Sequence, residues 1–278
     1  MRTIQSDTIK QAISRLFLSV CQMPGRDALD AIASAYNNET CPPAKEALSQ
    51  LVENAQVAQQ TGMPYCQDTG MAVVFVDLGQ DVHVDGPLPE AINEGVREAY
   101  ELGYFRKSVL DPLTRKNTGD NTPAVIHYNV VPGDRLHIAV APKGFGSENM
   151  SRIAMLKPSD GIDGIRAFIL DCVKSAGGSP CPPVVLGIGI GGTFELCALL
   201  AKKQLLRPIG SVNEDDTLAR LESELKDEIN ALGIGALGFG GQHYCLSVHI
   251  GKYPTHIAGL PVAVNFQCHA ARHAHITL

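Results

Sequence analysis

The sequence predicts an α+β (mixed α/β) fold, in which a helical N-terminal region leads into a mixed, partly antiparallel sheet flanked by helices. Three observations carry this expectation. Apolar residues recur at three- and four-residue spacing through the first sixty positions, short β-branched runs begin at residue 72, and helical and strand-like segments then alternate without strict βαβ order. With 278 residues, 45% apolar and 19% charged, the chain can bury a substantial core and has no disordered or fibrous composition. The expected organisation is a single domain over 1–278, helical at 1–62 and sheet-and-helix at 63–278.

The elements follow in order. Asp7 or Thr8 can cap a helix whose apolar face is Ile9, Ile13, Leu16, Phe17 and Val20, and RDALDAIASAY (26–36) repeats the pattern. Pro42 and Pro43 open a long helix that ends at Gly62. AVVFVDLG (72–79) reads as a strand and LPEAINEGVREAYELGYF (88–105) as an amphipathic helix. AVIHYNVV (124–131) and RLHIAVA (135–141) flank a Pro-Gly turn, which predicts an antiparallel hairpin. Helices are expected at 161–175, 193–206 and 213–232, and strand-like alternation from His243 to Gln267 suggests a terminal β meander. The polar end, His269 to His275, reads as a mobile terminus rather than a metal-binding tract.

Composition excludes several classes. A net charge of −6 argues against a general nucleic-acid binder, which would need a basic face to neutralise phosphates. MRTIQSDTIKQ lacks the apolar stretch of a secretory signal, and PPVVLGIGIGG is too short and glycine-broken to span a membrane. The expectation is a cytoplasmic protein whose eight cysteines are reduced.

Two motifs have competing readings. GIGIGG (187–192) between a strand and a helix fits a dinucleotide fingerprint, with Asp215 and Asp216 at about the right distance to reach a ribose. No second βαβ strand follows, so glycines that let a helix approach a strand are the simpler reading. The polar loops RKNTGDNTP (115–123) and KGFGSEN (143–149) could present donors to a carboxylate or phosphate, or could be ordinary turns. His256 could likewise act as acid/base or carboxylate donor, or be structural.

The cysteines sort by neighbourhood. Cys21, Cys172 and Cys197 lie in apolar helical patterns and Cys245 in an apolar strand, which predicts burial; Cys41 has no evident partner. Cys66, Cys181 and Cys268 stand at segment boundaries, in PYCQDTG, SPCPP and NFQCH. No C-x-x-C occurs, so any site they share must be assembled by the fold, and spacing alone leaves that open.

Taken together, PYCQDTGM (64–71), KNTGDNTPA (116–124), KGFGSEN (143–149), CPPVVLGIGIGG (181–192), LLRPIG (205–210), GIGALGFGG (233–241) and NFQCHAARH (265–273) resemble the α subunit of the class I, iron–sulfur-dependent fumarases and the related L-tartrate dehydratases. The resemblance implies a [4Fe–4S] cluster ligated by Cys66, Cys181 and Cys268, with Asp68 as the acid/base group and Gln67, Arg106, Gly146 and His256 contacting a small dicarboxylate substrate. It also implies a separate β subunit, since the sequence stops ten residues after Cys268 where a fused enzyme would continue, and an assembly that is a dimer of the α/β unit. KGFGSEN, QCHAARH and the absence of tryptophan resemble fumarase α subunits, so reversible hydration of fumarate to S-malate is expected, with L-tartrate dehydration as the alternative. An NAD-dependent dehydrogenase using 187–192 and a non-catalytic subunit are the rivals from other classes.

Overall fold

The computed structural model describes residues 2–278. In chain order its elements are β1 (Arg2–Gln5), α1 (Ser6–Gln22), α2 (Arg26–Asn38), α3 (Pro42–Thr61), β2 (Met71–Gly79), β3 (Val82–Asp85), α4 (Leu88–Leu102), β4 (Val125–Val131) and β5 (Leu136–Lys143). There follow α5 (Phe145–Glu148), β6 (Arg152–Leu156), α6 (Gly161–Ala176), β7 (Val184–Gly191), α7 (Phe194–Gln204), α8 (Asp216–Asn230), β8 (Cys245–Tyr253), β9 (Leu260–Gln267) and β10 (Ala274–Thr277). The mixed α+β class is as the sequence predicts, and the chain divides into two compact units.

The first unit takes in Met1–Gly25, Asn54–Phe145 and Arg272–Leu278. Its larger sheet has the order β10-β5-β2-β4, with β2 parallel to β4 and antiparallel to β5. Ile9, Ile13, Phe17 and Val20 of α1 and Ile92, Val96 and Tyr100 of α4 are buried in one cluster with Val74, Val76, Ile138 and Val140 of the sheet. The i, i+4 and i, i+3 spacing of those helical residues is what aims them at one face. α1 starts at Ser6, without the side-chain cap expected from Asp7 or Thr8.

The predicted hairpin is not formed: β2 lies between β4 and β5. Ala72–Val76 is buried without interruption, whereas β4 is largely exposed. A strand apolar on both faces belongs in the middle of a sheet, with neighbours on both edges. The Pro-Gly connection therefore crosses two strand spacings, roughly 10 Å, and the end of β2 bonds into it through Gln80 N–H to Val131 O and Asp81 N–H to Gly133 O. The C-terminus is also not the mobile tail expected, because Ala274–Thr277 pairs antiparallel with β5.

The second unit takes in Arg26–Glu53 and Gly146–Ala271. Its sheet has the order β6-β9-β7-β8, with β7 parallel to β8 and antiparallel to β9. The expected terminal meander is thus split by β7, as the hairpin is by β2. The same arrangement recurs in both units with no sequence period to announce it. One core joins α6 and α8 to this sheet, and another packs Ile32, Leu48 and Leu51 of α2 and α3 with Val185 and Leu246.

The glycines of β7 serve packing. A Cβ on Gly187 would sit 2.0 Å from Ala201 O, and one on Gly189 2.1 Å from Cys197 O, both in α7. Beyond them, the same construction on Gly191 meets Tyr253 O at 2.0 Å. Helix and neighbouring strand therefore fill the space in front of these glycines. Gly189→Ala must push β7 from α7 and is expected to cost about 3 kcal/mol, at the upper end of ordinary overpacking. A urea titration measures it, and a midpoint equal to wild type would contradict this packing role.

Candidate active site

In the first unit, the loop from Tyr65 to Gly70 joins α3 to β2 and carries Cys66, Gln67 and Asp68. Its backbone is held from several directions. Tyr65 N–H donates to Cys21 O, and the Asn54 amide donates to Tyr65 O at 2.8 Å. The Thr69 hydroxyl donates to Arg106 O at 3.0 Å. Both oxygens of the Asp68 carboxylate are used: Oδ1 accepts from Gly70 N–H at 3.0 Å and Oδ2 from Phe145 N–H at 2.8 Å. Each oxygen keeps a further lone pair. Gly144 lies against this carboxylate, where a Cβ would come within 3.2 Å of Oδ2. Gln67 and the Arg106 side chain are exposed, Cys66 and Asp68 half-buried.

The polar loop 115–123 spends its short side chains internally. Asn117 donates to Lys107 O and accepts from Gly119 N–H. Asp120 pairs with Arg97 and accepts from Thr122; burial opposes its ionisation, but Arg97 and Thr122 overcome this and hold the carboxyl down at about 2. Asn121, fully buried, accepts from Ser108 and Val109 N–H and donates to Gly70 O.

In the second unit, Cys181 and Cys268 sit on adjoining loops. Cys181 O accepts from the backbone N–H of His269 at 3.3 Å and faces its Nδ1 at 3.0 Å. Cys181 itself is at φ +55, at the start of Cys-Pro-Pro. Pro182 O accepts from Leu237 N–H in the glycine-rich loop 233–241. That loop is tied back by Glu39, 2% exposed, whose carboxylate accepts from the N–H groups of Thr40, Cys41 and Gln242. Burial opposes ionisation of Glu39, yet these donors hold its carboxyl below the usual range. Lys202 bridges Glu148 and Asn265, and Asn265 donates to Glu148 and to Ser151, fastening α5 and the turn after it to β9, which ends one residue before Cys268.

Gly146 and His256 also belong to this unit. Gly146 has open space, with Ser179 O nearest at 3.9 Å from an added Cβ. His256 is exposed, and its Nδ1 accepts from Ala258 N–H at 3.2 Å. With Nδ1 accepting in this way, the ring proton is assigned to Nε2.

The cysteines separate as the sequence suggests. Cys21, Cys172, Cys197 and Cys245 are buried, and burial pushes their thiols up to about 11, 11, 11 and 12 respectively. Cys41, Cys66, Cys181 and Cys268 are partly or fully exposed, and no disulfide forms. Among the described residues no three His, Cys, Asp or Glu side chains are grouped as a metal site.

A model of the fumarate hydratase (Fumerase) family matches residues 10–277. The chain belongs to the fumarate hydratase family. Its class of activity is that of a hydro-lyase. It is 42% identical over 273 residues to the "Putative L(+)-tartrate dehydratase subunit alpha" of Methanocaldococcus jannaschii, an alignment covering 96% of each chain. It is 32% identical over 250 residues to the L(+)-tartrate dehydratase subunit alpha of Escherichia coli strain K12 and to that of Shigella sonnei, covering 88% of this chain and 82% of each relative.

Within this fumarate hydratase family chain, three residues that hold the Asp68 loop are not singled out by the sequence: Tyr100 reads there only as part of an amphipathic helix, and Asn121 and Arg272 stand inside the motifs KNTGDNTPA and NFQCHAARH without an assigned role. The glycine against Asp68 is Gly144, two positions before the one singled out from the sequence. The donor chemistry fits a cluster, since soft thiolates are what iron–sulfur centres take, and Cys66, Cys181 and Cys268 are thiols on loops rather than in the core. Among the described residues no helix is long and apolar enough to cross a membrane.

Proposed function

We propose that this chain is the α subunit of an iron–sulfur hydro-lyase that interconverts fumarate and S-malate, completed by a β subunit of different sequence. The observation that carries the reading is the setting of Asp68: a half-buried carboxylate, oriented by two backbone N–H donors, on the loop that also presents Cys66. A [4Fe–4S] cluster held by Cys66, Cys181 and Cys268 would supply a Lewis acid through an iron without a protein ligand. Asp68 takes the proton from the carbon beside the one that loses hydroxide, and in hydration it delivers that proton back to carbon. Gln67 and Arg106, both exposed, are available to hold the substrate carboxylates, and an Arg–carboxylate fork fixes orientation as well as charge. His256 and a glycine of the 144–146 loop are the further substrate contacts that the family resemblance implies. The β subunit would bring the remaining arginine, lysine and threonine groups. A cytoplasmic location keeps the three thiols reduced.

L-Tartrate is the second reading, favoured by the names of the relatives. Anaerobic reconstitution with iron and sulfide, followed by assays with and without the co-expressed β subunit, decides between them. The α/β pair is expected to convert S-malate to fumarate faster than it dehydrates L-tartrate, and the α chain alone to hold colour but turn over poorly. The reverse preference assigns the tartrate reading; no turnover of either diacid by a reconstituted pair sinks both.

A further inference from the structure

Three successive carbonyls in the first unit, those of Asp68, Thr69 and Gly70, are each gripped by a side chain from elsewhere in the fold. Arg272, 2% exposed and 204 positions away in sequence, donates from Nη2 to Asp68 O at 2.8 Å. The Tyr100 hydroxyl, from the buried face of α4, lies 2.8 Å from both Thr69 O and Gly70 O. Asn121 donates to Gly70 O at 3.1 Å. We infer that Arg272, Tyr100 and Asn121 are positioning residues for Asp68, with Arg272 the principal one. The inference rests on Asp68 being the acid/base group proposed above.

The direction of a carbonyl fixes its peptide plane, so three gripped carbonyls in a row leave residues 68–70 no freedom to rotate. The carboxylate is then fixed at its other end by Gly70 and Phe145 N–H. A loop that needed only to close could leave its carbonyls to water. A charged donor holds a carbonyl more strongly than a neutral one. Gly144 completes the arrangement: a Cβ there would stand 3.2 Å from Asp68 Oδ2 and 3.9 Å from Arg272 Nη2. The carboxylate and the guanidinium thus share the space that this glycine leaves open.

The test uses Tyr100→Phe, which keeps the ring packed against Phe17 and Phe105, beside Arg272→Lys and Arg272→Gln. Two measurements are made on each full chain. Amide hydrogen exchange at Gly70 and Phe145 reports whether the carboxylate still holds its donors. Steady-state kinetics of the α/β enzyme, with substrate deuterated at the carbon that loses its proton, report what misplacement does to the chemistry. Expected are faster exchange at those two amides, a ten- to hundredfold fall in kcat of the size that ~1 Å of misplacement brings, KM within about twofold, and a larger primary isotope effect. Arg272→Lys should lose less than Arg272→Gln. A merely structural role would lower the number of active molecules without moving the isotope effect, and that result overturns the inference. Unchanged exchange at Gly70 and Phe145 in folded Tyr100→Phe overturns it as well. If the wild-type pair turns over neither diacid, the functional reading fails by itself, while the exchange data still decide whether these side chains hold the carboxylate.

Discussion

Serine in place of Cys66, Cys181 or Cys268 is expected to give a folded chain that stays colourless after anaerobic reconstitution. With the β subunit, each variant should lose at least roughly two orders of magnitude in activity, since even outer partners of metal ligands cost about 10–100-fold. Cys41→Ser is the informative control. Cys41 is partly exposed like the other three, and its thiol is directed at Phe239 O, so this variant should keep both colour and activity. Cys21→Ala, Cys172→Ala and Cys197→Ala should also stay brown, because those thiols are buried in the core, where Cys21 and Cys197 donate only to the Thr69 and Gly189 carbonyls. Alkylation gives a second readout. With pKa values near 11, the buried thiols carry about one thiolate in a thousand at pH 8, so iodoacetamide should leave them unlabelled while the cluster-free chain reacts at its exposed cysteines. A brown, active Cys268→Ser enzyme would remove that residue from the ligand set.

This division of the cysteines was legible in the sequence because burial follows local periodicity. Cys21 stands at i+4 from Phe17 on an apolar face, and Cys245 opens a buried strand; neither needs knowledge of the rest of the fold. Strand order was not legible, for the opposite reason. β2 and β7 pair with strands that begin about fifty residues or more further on, while the Pro132-Gly133 turn joins neighbours in sequence that are not neighbours in the sheet. Local turn chemistry favours a hairpin, and the demand of a doubly buried strand for two partners overrides it. The end of the chain misleads in a similar way. His275 and Thr277 alternate outward from Ala274 and Ile276, so a paired strand looks like a polar tail. At the site, Cys66 and Asp68 announce themselves by motif. The part played by Arg272, Tyr100 and Asn121 does not show, although Arg272 and Asn121 lie inside motifs, because any donor of the right reach can grip a main-chain carbonyl and sequence spacing records nothing of it.

Glu222→Ala should cause a large loss of stability in the second unit. Glu222 lies on α8 with its side chain 7% exposed, and its carboxylate meets the Arg207 guanidinium at 2.6 and 3.3 Å through two nitrogens. One oxygen also accepts from Ile250 N–H in β8 at 2.6 Å and from Asn213 Nδ2 at 2.7 Å, and Asn213 in turn donates to Ile250 O. One carboxylate therefore ties α8, the loop after α7 and β8 together. Its removal leaves a strand N–H and an arginine without their acceptor; breaking a buried pair this way costs about 3–5 kcal/mol. Arg207 retains 22% exposure, so water can recover part of the loss, which places the expected value at the low end. At roughly 2–4 °C per kcal/mol, the transition of this unit should fall by roughly 6–12 °C in calorimetry. Glu222→Gln separates charge from hydrogen bonding. Its amide oxygen can still accept from Ile250 N–H, so a loss equal to that of alanine would assign the effect to the ion pair with Arg207, and a much smaller one to the strand N–H.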